Sequence, residues 1–234
     1  MQVFKSIINA IFPKRCISCG EIIDSNESLC DYCFEKIERI DFSKVCKRCG
    51  LNKKQCECGK RVLHYASVIA PFSNEEVAKA AMYRYKFKKL SSFSKFFANE
   101  MALTVKTFYN GINFDGIAFV PMHPINELKR GFNQSQMLAL HLSRLLRVPL
   151  YRKLLKVKYK NKRQHNMSVK ERFQNVKGMY SFNYKVTNKN ILLVDDIKTT
   201  GATIDECAKQ LLLAGANNVY CITGLITQPK KGKK

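Results

Sequence analysis

The residues best suited to chemistry stand in one short string near the carboxyl end of the sequence. Asp195 and Asp196 are adjacent acids, and a run of small residues soon follows them: Thr199, Thr200, Gly201, Ala202 and Thr203. Carboxylates accept hydrogen bonds from vicinal sugar hydroxyls, and successive backbone N–H groups with nearby hydroxyls can hold a phosphate dianion. The string therefore predicts a site for a ribose 5-phosphate group. The alternative is an ordinary strand-to-helix turn with a capping Thr.

Two elements must position this string. The apolar run Asn190–Val194 precedes the acids and predicts a buried strand, whereas Thr203–Ala214 has helical periodicity and ends at Gly215. Open α/β sheets bind ligands at the carboxyl ends of such strands, and the positive end of the next helix helps to hold an anion. The predicted elements thus support the sugar-phosphate interpretation.

The larger part of the sequence alternates strands with helices, which predicts an α/β fold with a mostly parallel central sheet flanked by helices. Further strands are predicted at His64–Phe72, Ile117–Pro121 and Val219–Leu225, and further helices at Asn74–Lys89, Ser94–Phe108 and Phe132–Leu146. Residues 150–184 are polar, basic and poorly periodic, so they predict an extended excursion with a short helix at Val169–Asn175.

A second loop offers cations to the same edge of the sheet. Lys129 and Arg130 follow the predicted strand at Ile117–Pro121 and precede a helix start at Gly131–Gln134. Because the carboxyl ends of parallel strands share one edge, we expect both cations to be donors for a pyrophosphate beside the ribose.

Cysteines dominate the first 58 residues. Eight of the ten form four close pairs: Cys16 and Cys19, Cys30 and Cys33, Cys46 and Cys49, and Cys56 and Cys58. Four thiolates complete the tetrahedral shell of a structural zinc, so we expect two Zn²⁺ sites. In sequence order the first two pairs share one site, although interleaved pairing is an alternative, as is a disulfide framework. Gly20, Gly50 and Gly59 follow pairs and are expected to take positive φ in the knuckle turns.

The charge is strongly basic and unevenly distributed. The net charge is +23; residues 1–62 hold 12 Lys and Arg against 8 Asp and Glu, whereas residues 63–234 hold 29 against 10. Such a field attracts polyanions. Cations are interleaved with aromatic residues in the excursion and at Tyr83–Lys89, a pattern that suits single-stranded nucleic acid. The DNA-binding candidates in the excursion are Arg152, Lys153, Lys156, Lys158, Lys160 and Lys162.

From Ile191 to Ala216 the chain resembles the type I phosphoribosyltransferases, whose signature is an apolar strand, two acids and a Thr- and Gly-rich loop before a helix. The resemblance implies that Asp195 and Asp196 bind the 2′- and 3′-hydroxyls of phosphoribosyl pyrophosphate. It also implies that Thr199–Thr203 bind the 5′-phosphate, and that Mg²⁺ accompanies the pyrophosphate. The reaction of that family requires no nucleophilic side chain, and we assign no residue as catalytic.

The whole chain is similar to the competence protein ComF family. The similarity is carried by the paired cysteines, by Lys129–Gln134 (KRGFNQ), by Arg163–Tyr180 and by the phosphoribosyl loop. It implies a role in natural transformation, with single-stranded DNA as ligand and DNA-processing or helicase proteins as partners. A mobile cover must exclude water from the ribosyl cation. Its candidates in the excursion are Arg163, Gln164 and Arg172.

The expected organisation is an N-terminal helix and double zinc ribbon in residues 1–62, a phosphoribosyltransferase-like domain in residues 63–229 and a basic tail in residues 230–234. No apolar run is long enough to span a membrane, and Met1–Pro13 lacks the pattern of a signal peptide. We therefore expect a cytoplasmic protein, with a peripheral place at the inner membrane as the alternative.

Two functional hypotheses remain open. In the first, the protein is a transformation factor that handles single-stranded DNA and binds phosphoribosyl pyrophosphate or a related sugar phosphate. In the second, it is an active, Mg²⁺-dependent phosphoribosyltransferase of nucleotide or base metabolism, with an acceptor that the sequence does not name.

Overall fold

The computed structural model describes residues 13–24, 26–56, 58–87, 91–158 and 168–229, so the predicted N-terminal helix lies outside the described residues. The described α-helices are α1 (Asp31–Lys36), α2 (Glu76–Phe87), α3 (Ser91–Phe108), α4 (Pro124–Arg130), α5 (Gln134–Leu146), α6 (Val169–Val176) and α7 (Ala202–Leu213). The strands are β1 (Ser67–Ile69), β2 (Phe72–Ser73), β3 (Gly116–Phe119), β4 (Leu155–Val157), β5 (Tyr180–Phe182), β6 (Asn190–Lys198) and β7 (Asn218–Ile226).

The central sheet is parallel and has the order β1–β7–β6–β3, with β2 pairing with the far end of β7. Strand β6 lies in the interior of the sheet, with Leu192 opposite both Ile117 of β3 and Tyr220 of β7. Its run of apolar residues suits a strand that is covered on both faces. The predicted α/β fold with a mostly parallel central sheet flanked by helices is confirmed.

Two apolar cores lie on opposite faces of this sheet. Leu192 and Val194 of β6 pack into one core with Leu138 of α5, whereas Leu193 packs into the other core with Leu211 of α7. Successive strand residues point to opposite faces, so one apolar strand contributes to both cores. This packing fixes β6 firmly and thus the position of the acids at its end.

The cysteine-rich residues 13–62, called the ribbon below, pack on the free edge of β1 and β2. The backbone N–H of Ile40 donates to the carbonyl of Pro71 and that of Val68 to the carbonyl of Arg48, both at 2.9 Å. Ile17 and Leu29 of the ribbon belong to the same core as Leu138. The ribbon therefore covers a sheet edge that would otherwise expose unpaired backbone groups. The domain boundary at residue 62 remains a prediction.

Four local predictions were wrong. The excursion contains an antiparallel hairpin of β4 and β5, and α4 forms where a loop was expected. Strand β6 continues through both acids to Lys198, so the loop shortens to residues 199–201. Gly20 and Gly50 have φ values of 92° and 69°, but Gly59 lies in a short 3₁₀ helix without positive φ.

Candidate functional site

Asp195 lies at the carboxyl end of β6 and is nearly buried, with 8% of its surface exposed. Its Oδ1 accepts hydrogen bonds from Ser135 Oγ at 2.8 Å and from the Asp196 backbone N–H at 2.9 Å. Asn133 caps the helix that carries Ser135: its side chain accepts from the Ser135 N–H and donates to the carbonyl of Val120. The end of β3, the start of α5 and the end of β6 are thus joined around one carboxylate.

Asp196 forms an ion pair across the site. Its Oδ2 lies 2.8 Å from Nζ of Lys86 on α2, and both side chains are mostly shielded from solvent. Burial, followed by the neighbouring charge of Asp196, raises the pKa of Asp195 to about 7, against the opposing effects of Ser135 and Lys86. The site therefore holds two carboxylates in different environments, one paired with a cation and one about half protonated near pH 7.

The turn after β6 begins helix α7. Gly201 has φ 83°, a conformation that side chains rarely adopt, and Ala202 N–H donates to Thr200 Oγ1 at 3.4 Å. The first turn of α7 is held from outside, because Asp205 accepts from the backbone N–H and Nδ1 of His64 at 2.7 and 2.9 Å. This bonding orients the start of α7 next to the acids, where its N–H groups are available to an anion.

A cavity of about 350 Å³ opens beside the acids. Asp195, Asp196, Thr203 and Arg130, all predicted site residues, line it. The other wall comes from the excursion and is mostly apolar: Val157, Val176, Met179 and Tyr180. The structure therefore brings the two acids, one residue of the first turn of α7 and one predicted cation together under the hairpin.

Other predicted site residues lie elsewhere. Thr199 is exposed, and Thr200 lines a second, smaller cavity. Lys129 is exposed and does not line the large cavity, whereas Arg130 donates from Nη1 to Gln134 Oε1 at 2.8 Å. Arg172 is exposed on α6. Arg163 and Gln164 lie outside the described residues.

The prediction missed two side chains that organise the acids. Lys86 was considered only as a DNA contact, and Ser135 was not singled out, yet each bonds one of the carboxylates. Both come from other elements, so only their tertiary position reveals the role. The Asn-Gln-Ser sequence at 133–135 is a helix-capping signal that could have directed attention to Ser135.

The structure describes four of the six DNA-binding candidates in the excursion at residues 150–184. Arg152, Lys153, Lys156 and Lys158 are exposed on or beside β4, whereas Lys160 and Lys162 lie outside the described residues. On α2, Tyr83 and Phe87 are 65% and 64% exposed, and their ring centroids are 4.7 Å apart. This aromatic pair is within one helical turn of Lys86, which reaches the large cavity.

The eight paired cysteines form two clusters in sequence order. One joins Cys16, Cys19, Cys30 and Cys33, the other Cys46, Cys49, Cys56 and Cys58, with the Sγ atoms of each cluster within 4.8 Å of one another. The Cys46–Cys58 and Cys49–Cys56 Sγ distances are both 3.8 Å. Tetrahedral zinc with bonds of about 2.3 Å places its sulfurs roughly 3.8 Å apart. Both clusters therefore fit structural zinc, and the interleaved alternative is excluded for these residues.

The second cluster lies close to the turn at residues 199–201. A small cavity of about 60 Å³ is lined by Cys49 and Cys58 on one side and by Lys198 and Thr200 on the other. Lys198 is 2% exposed. Burial lowers its pKa, and the charges of Cys49 and Cys58 oppose that shift. The sequence prediction placed no role on Lys198.

Among the described residues, no helix is both long enough and apolar enough to cross a membrane.

Comparisons with known proteins agree with the two parts of the chain. The family profile of the double zinc ribbon domain matches residues 7–67. Competence protein F of Haemophilus influenzae is 26% identical over 89% of this chain and 95% of its own length. Competence protein ComFC of Bacillus subtilis is 24% identical over 83% and 82%. DNA utilization protein YhgH of Escherichia coli K12 is 26% identical over 88% of each chain.

The solved structures that match part of the chain include an amidotransferase and a purine phosphoribosyltransferase. Glutamine phosphoribosylpyrophosphate amidotransferase from B. subtilis is 19% identical and has a TM-score of 0.38; the match covers 56% of this chain and only 26% of that one. Purine phosphoribosyltransferase from Pyrococcus horikoshii is 16% identical and has a TM-score of 0.33, covering 60% and 90%. With a double zinc ribbon ahead of an α/β domain, the chain is similar along most of its length to the proteins named competence protein F and competence protein ComFC.

Proposed function

We propose that the protein is a factor of natural transformation that binds phosphoribosyl pyrophosphate or a related sugar phosphate and contacts single-stranded DNA. The names of the relatives support a role in the use or uptake of DNA. The observation that carries the ligand assignment is the shared cavity, where Asp195, Asp196 and Thr203 meet at the carboxyl end of a central strand. A cavity of this size suits a small polar ligand.

In the proposed complex the ribose diol donates to Asp195 and Asp196, and the 5-phosphate accepts from the N–H groups of Gly201–Thr203. Arg130 is near enough to meet a pyrophosphate, because it lines the same cavity. Mg²⁺ would neutralise part of the pyrophosphate charge when bound. The diol must compete with the Lys86–Asp196 ion pair, so we infer that Lys86 moves toward the phosphates as the ligand enters.

The competing function is phosphoribosyl transfer to a base. The apolar wall of Val157, Met179 and Tyr180 favours it, because a ribosyl cation must be shielded from water. Incubation with phosphoribosyl pyrophosphate, Mg²⁺ and each common nucleobase would release pyrophosphate if transfer occurs. Binding without pyrophosphate release in every mixture supports the first function over the second.

Calorimetric titration with phosphoribosyl pyrophosphate, with and without Mg²⁺, tests the sugar-phosphate site. Asp195→Asn/Asp196→Asn should weaken binding at least about tenfold, since two charge-assisted hydrogen bonds are lost. Asp24→Asn/Asp31→Asn is the matched control, because both acids are exposed on the ribbon. Equal affinity of the two double variants would refute the assignment.

Binding of a single-stranded oligonucleotide at several salt concentrations tests the DNA surface. Replacement of Arg152, Lys153, Lys156 and Lys158 by Gln should reduce the slope of log K against log salt, by up to about 3 for four lost phosphate contacts. The control replaces four exposed lysines elsewhere: Lys36, Lys44, Lys54 and Lys106. An unchanged slope in the first variant would exclude this surface.

A further inference from the structure

We propose that Lys198 is the buried counter-cation of the second zinc–thiolate cluster and that, through it, zinc in the ribbon positions the phosphate turn. The second cluster consists of Cys46, Cys49, Cys56 and Cys58, and the phosphate turn consists of residues 199–201. The expected effect of zinc on ligand affinity rests on the sugar-phosphate site proposed above.

The first observation is the burial of a cation. Lys198 is 2% exposed, and among the described residues its Nζ has no hydrogen bond to oxygen or sulfur and no ion pair with a carboxylate. A buried ammonium is costly unless a counter-charge and acceptors compensate the lost hydration. The site of Lys198 therefore requires a partner.

The second observation identifies that partner. Lys198 lines the small cavity together with Cys49 and Cys58. Four thiolates around one Zn²⁺ carry a net charge of −2, so this face of the loaded cluster is anionic. Arg61 lines the same cavity and adds a second cation, although its guanidinium also packs over the ring of Phe173, 5.2 Å from the centroid. Groups that lie next to the ligands of a metal tune the affinity of the site for that metal.

The third observation links Lys198 to the turn. It is the last residue of β6, and Thr200 lines the same small cavity. The Lys198 stem packs against Gly201, where an added Cβ would lie 3.1 Å from Lys198 Cε. The Lys198 carbonyl accepts from Thr227 N–H at 2.8 Å, which holds its backbone to the segment after β7. Because the backbone of Lys198 is held, a movement of its side chain must displace the turn at residues 199–201.

The ribbon side of this contact is also fixed. A Cβ on Gly50, in the knuckle after Cys49, would lie 2.6 Å from both Ile226 Cδ1 and the carbonyl oxygen of Val68. Gln228 bonds the same knuckle, accepting from Asn52 N–H at 2.9 Å and donating to the Gly50 carbonyl at 3.1 Å. The second cluster is thus held on the ends of β1 and β7, so its anionic charge faces Lys198 reproducibly. Loss of zinc would remove that charge and release the Lys198 side chain.

The first test uses cobalt in place of zinc in the full-length protein, because sulfur-to-cobalt charge-transfer bands report the charges and polar groups around the thiolates. Lys198→Met removes the cation while keeping a long apolar stem, so the variant should fold. We expect its band to shift and its metal to be released to a chelator roughly tenfold faster. Arg84→Met is the matched control, because Arg84 donates to Ser18 in the first cluster's knuckle. A spectrum and release rate equal to wild type in Lys198→Met would overturn the proposal.

The second test measures the affinity for ribose 5-phosphate. Cys56→Ser, which disrupts the second cluster, and Lys198→Met should each weaken binding about tenfold, whereas Cys19→Ser in the first cluster should leave it near wild type. Equal losses in both cysteine variants would contradict a specific link to the turn. If wild-type protein does not bind ribose 5-phosphate, the proposed function fails, while the cobalt result still decides whether Lys198 contacts the cluster.

Discussion

At the scale of single residues, the site depends on the unequal environments of two adjacent acids. Asp196 is paired with Lys86, whereas Asp195 accepts, from the part of the chain that the structure describes, a hydrogen bond from one hydroxyl and one from a backbone N–H. A ribose diol would supply Asp195 with further donors and stabilise its charged form. Ligand binding at this site should therefore be accompanied by proton release near neutral pH.

The raised pKa of Asp195 has a consequence for stability. Its folded pKa of about 7 exceeds an unfolded value of about 3.9, so its ionisation costs more in the folded state and stability falls as pH rises from about 4 to 7. Asp195→Asn should remove this decline and stabilise the protein above pH 7 by on the order of 1–3 kcal/mol. Urea unfolding at several pH values across this range, with zinc present, measures the free energy of unfolding of both proteins. If the free energy of unfolding changes with pH in the same way in wild type and variant, Asp195 does not have a raised pKa.

Gly201 permits a second comparison. Its φ is 83°, and that of Gly111 is 81°, but a Cβ on Gly111 would meet nothing within 4 Å. Each change to Ala should cost roughly 1 kcal/mol from the left-handed backbone alone. Gly201→Ala should also press on Lys198 and weaken ribose 5-phosphate binding, which Gly111→Ala should not. Urea unfolding of both variants measures the cost to stability, and calorimetric titration with ribose 5-phosphate measures the change in affinity. Similar ligand affinity in the two variants would count against close packing at the turn.

At the scale of elements, the sequence was most informative where periodicity and burial agree. The sequence predicted strand β6, helix α7 and the end of that helix near Gly215. These features could be predicted because a run of apolar residues and apolar residues at helical spacing are local signals. The β4–β5 hairpin was missed because it is short, and its Lys-rich strand hides the alternation. The Lys86–Asp196 and Ser135–Asp195 contacts join residues far apart in sequence, which periodicity cannot pair.

The hairpin should act as a wall of the site. Tyr180 and Met179 line the large cavity from β5 and the turn before it. Met179→Ala should open the cavity to water and weaken sugar-phosphate binding several-fold, with a loss of stability of about 2–3 kcal/mol for a truncated buried side chain. Val186→Ala, a buried residue that does not line the cavity, is the control. A Met179→Ala affinity equal to that of Val186→Ala would argue against the wall.

At the scale of the whole molecule, the ribbon and the sheet form a shared core. Ile17, Leu29 and Val45 pack with Phe72 and Phe97 in one cluster. The ribbon is therefore part of the fold as well as the segment that holds both cysteine clusters.

Zinc removal should consequently affect the entire chain. Stripping zinc with a chelator should lower the Tm of a single unfolding transition by on the order of 10 °C, because structural zinc adds its binding energy to the folding energy. Scanning calorimetry measures the Tm of the protein with zinc bound and after zinc removal. Two unfolding transitions, of which the one with the larger enthalpy is unchanged by the chelator, would mean that the sheet folds independently of the ribbon.

The most direct measurement is a crystal structure of the zinc-loaded protein with phosphoribosyl pyrophosphate and Mg²⁺. We predict that the 5-phosphate lies against the N–H groups of Gly201–Thr203, and that the ribose hydroxyls lie within hydrogen-bond distance of Asp195 and Asp196. A ligand bound elsewhere, or an empty turn with the Lys86–Asp196 pair intact at saturating ligand, would contradict the account.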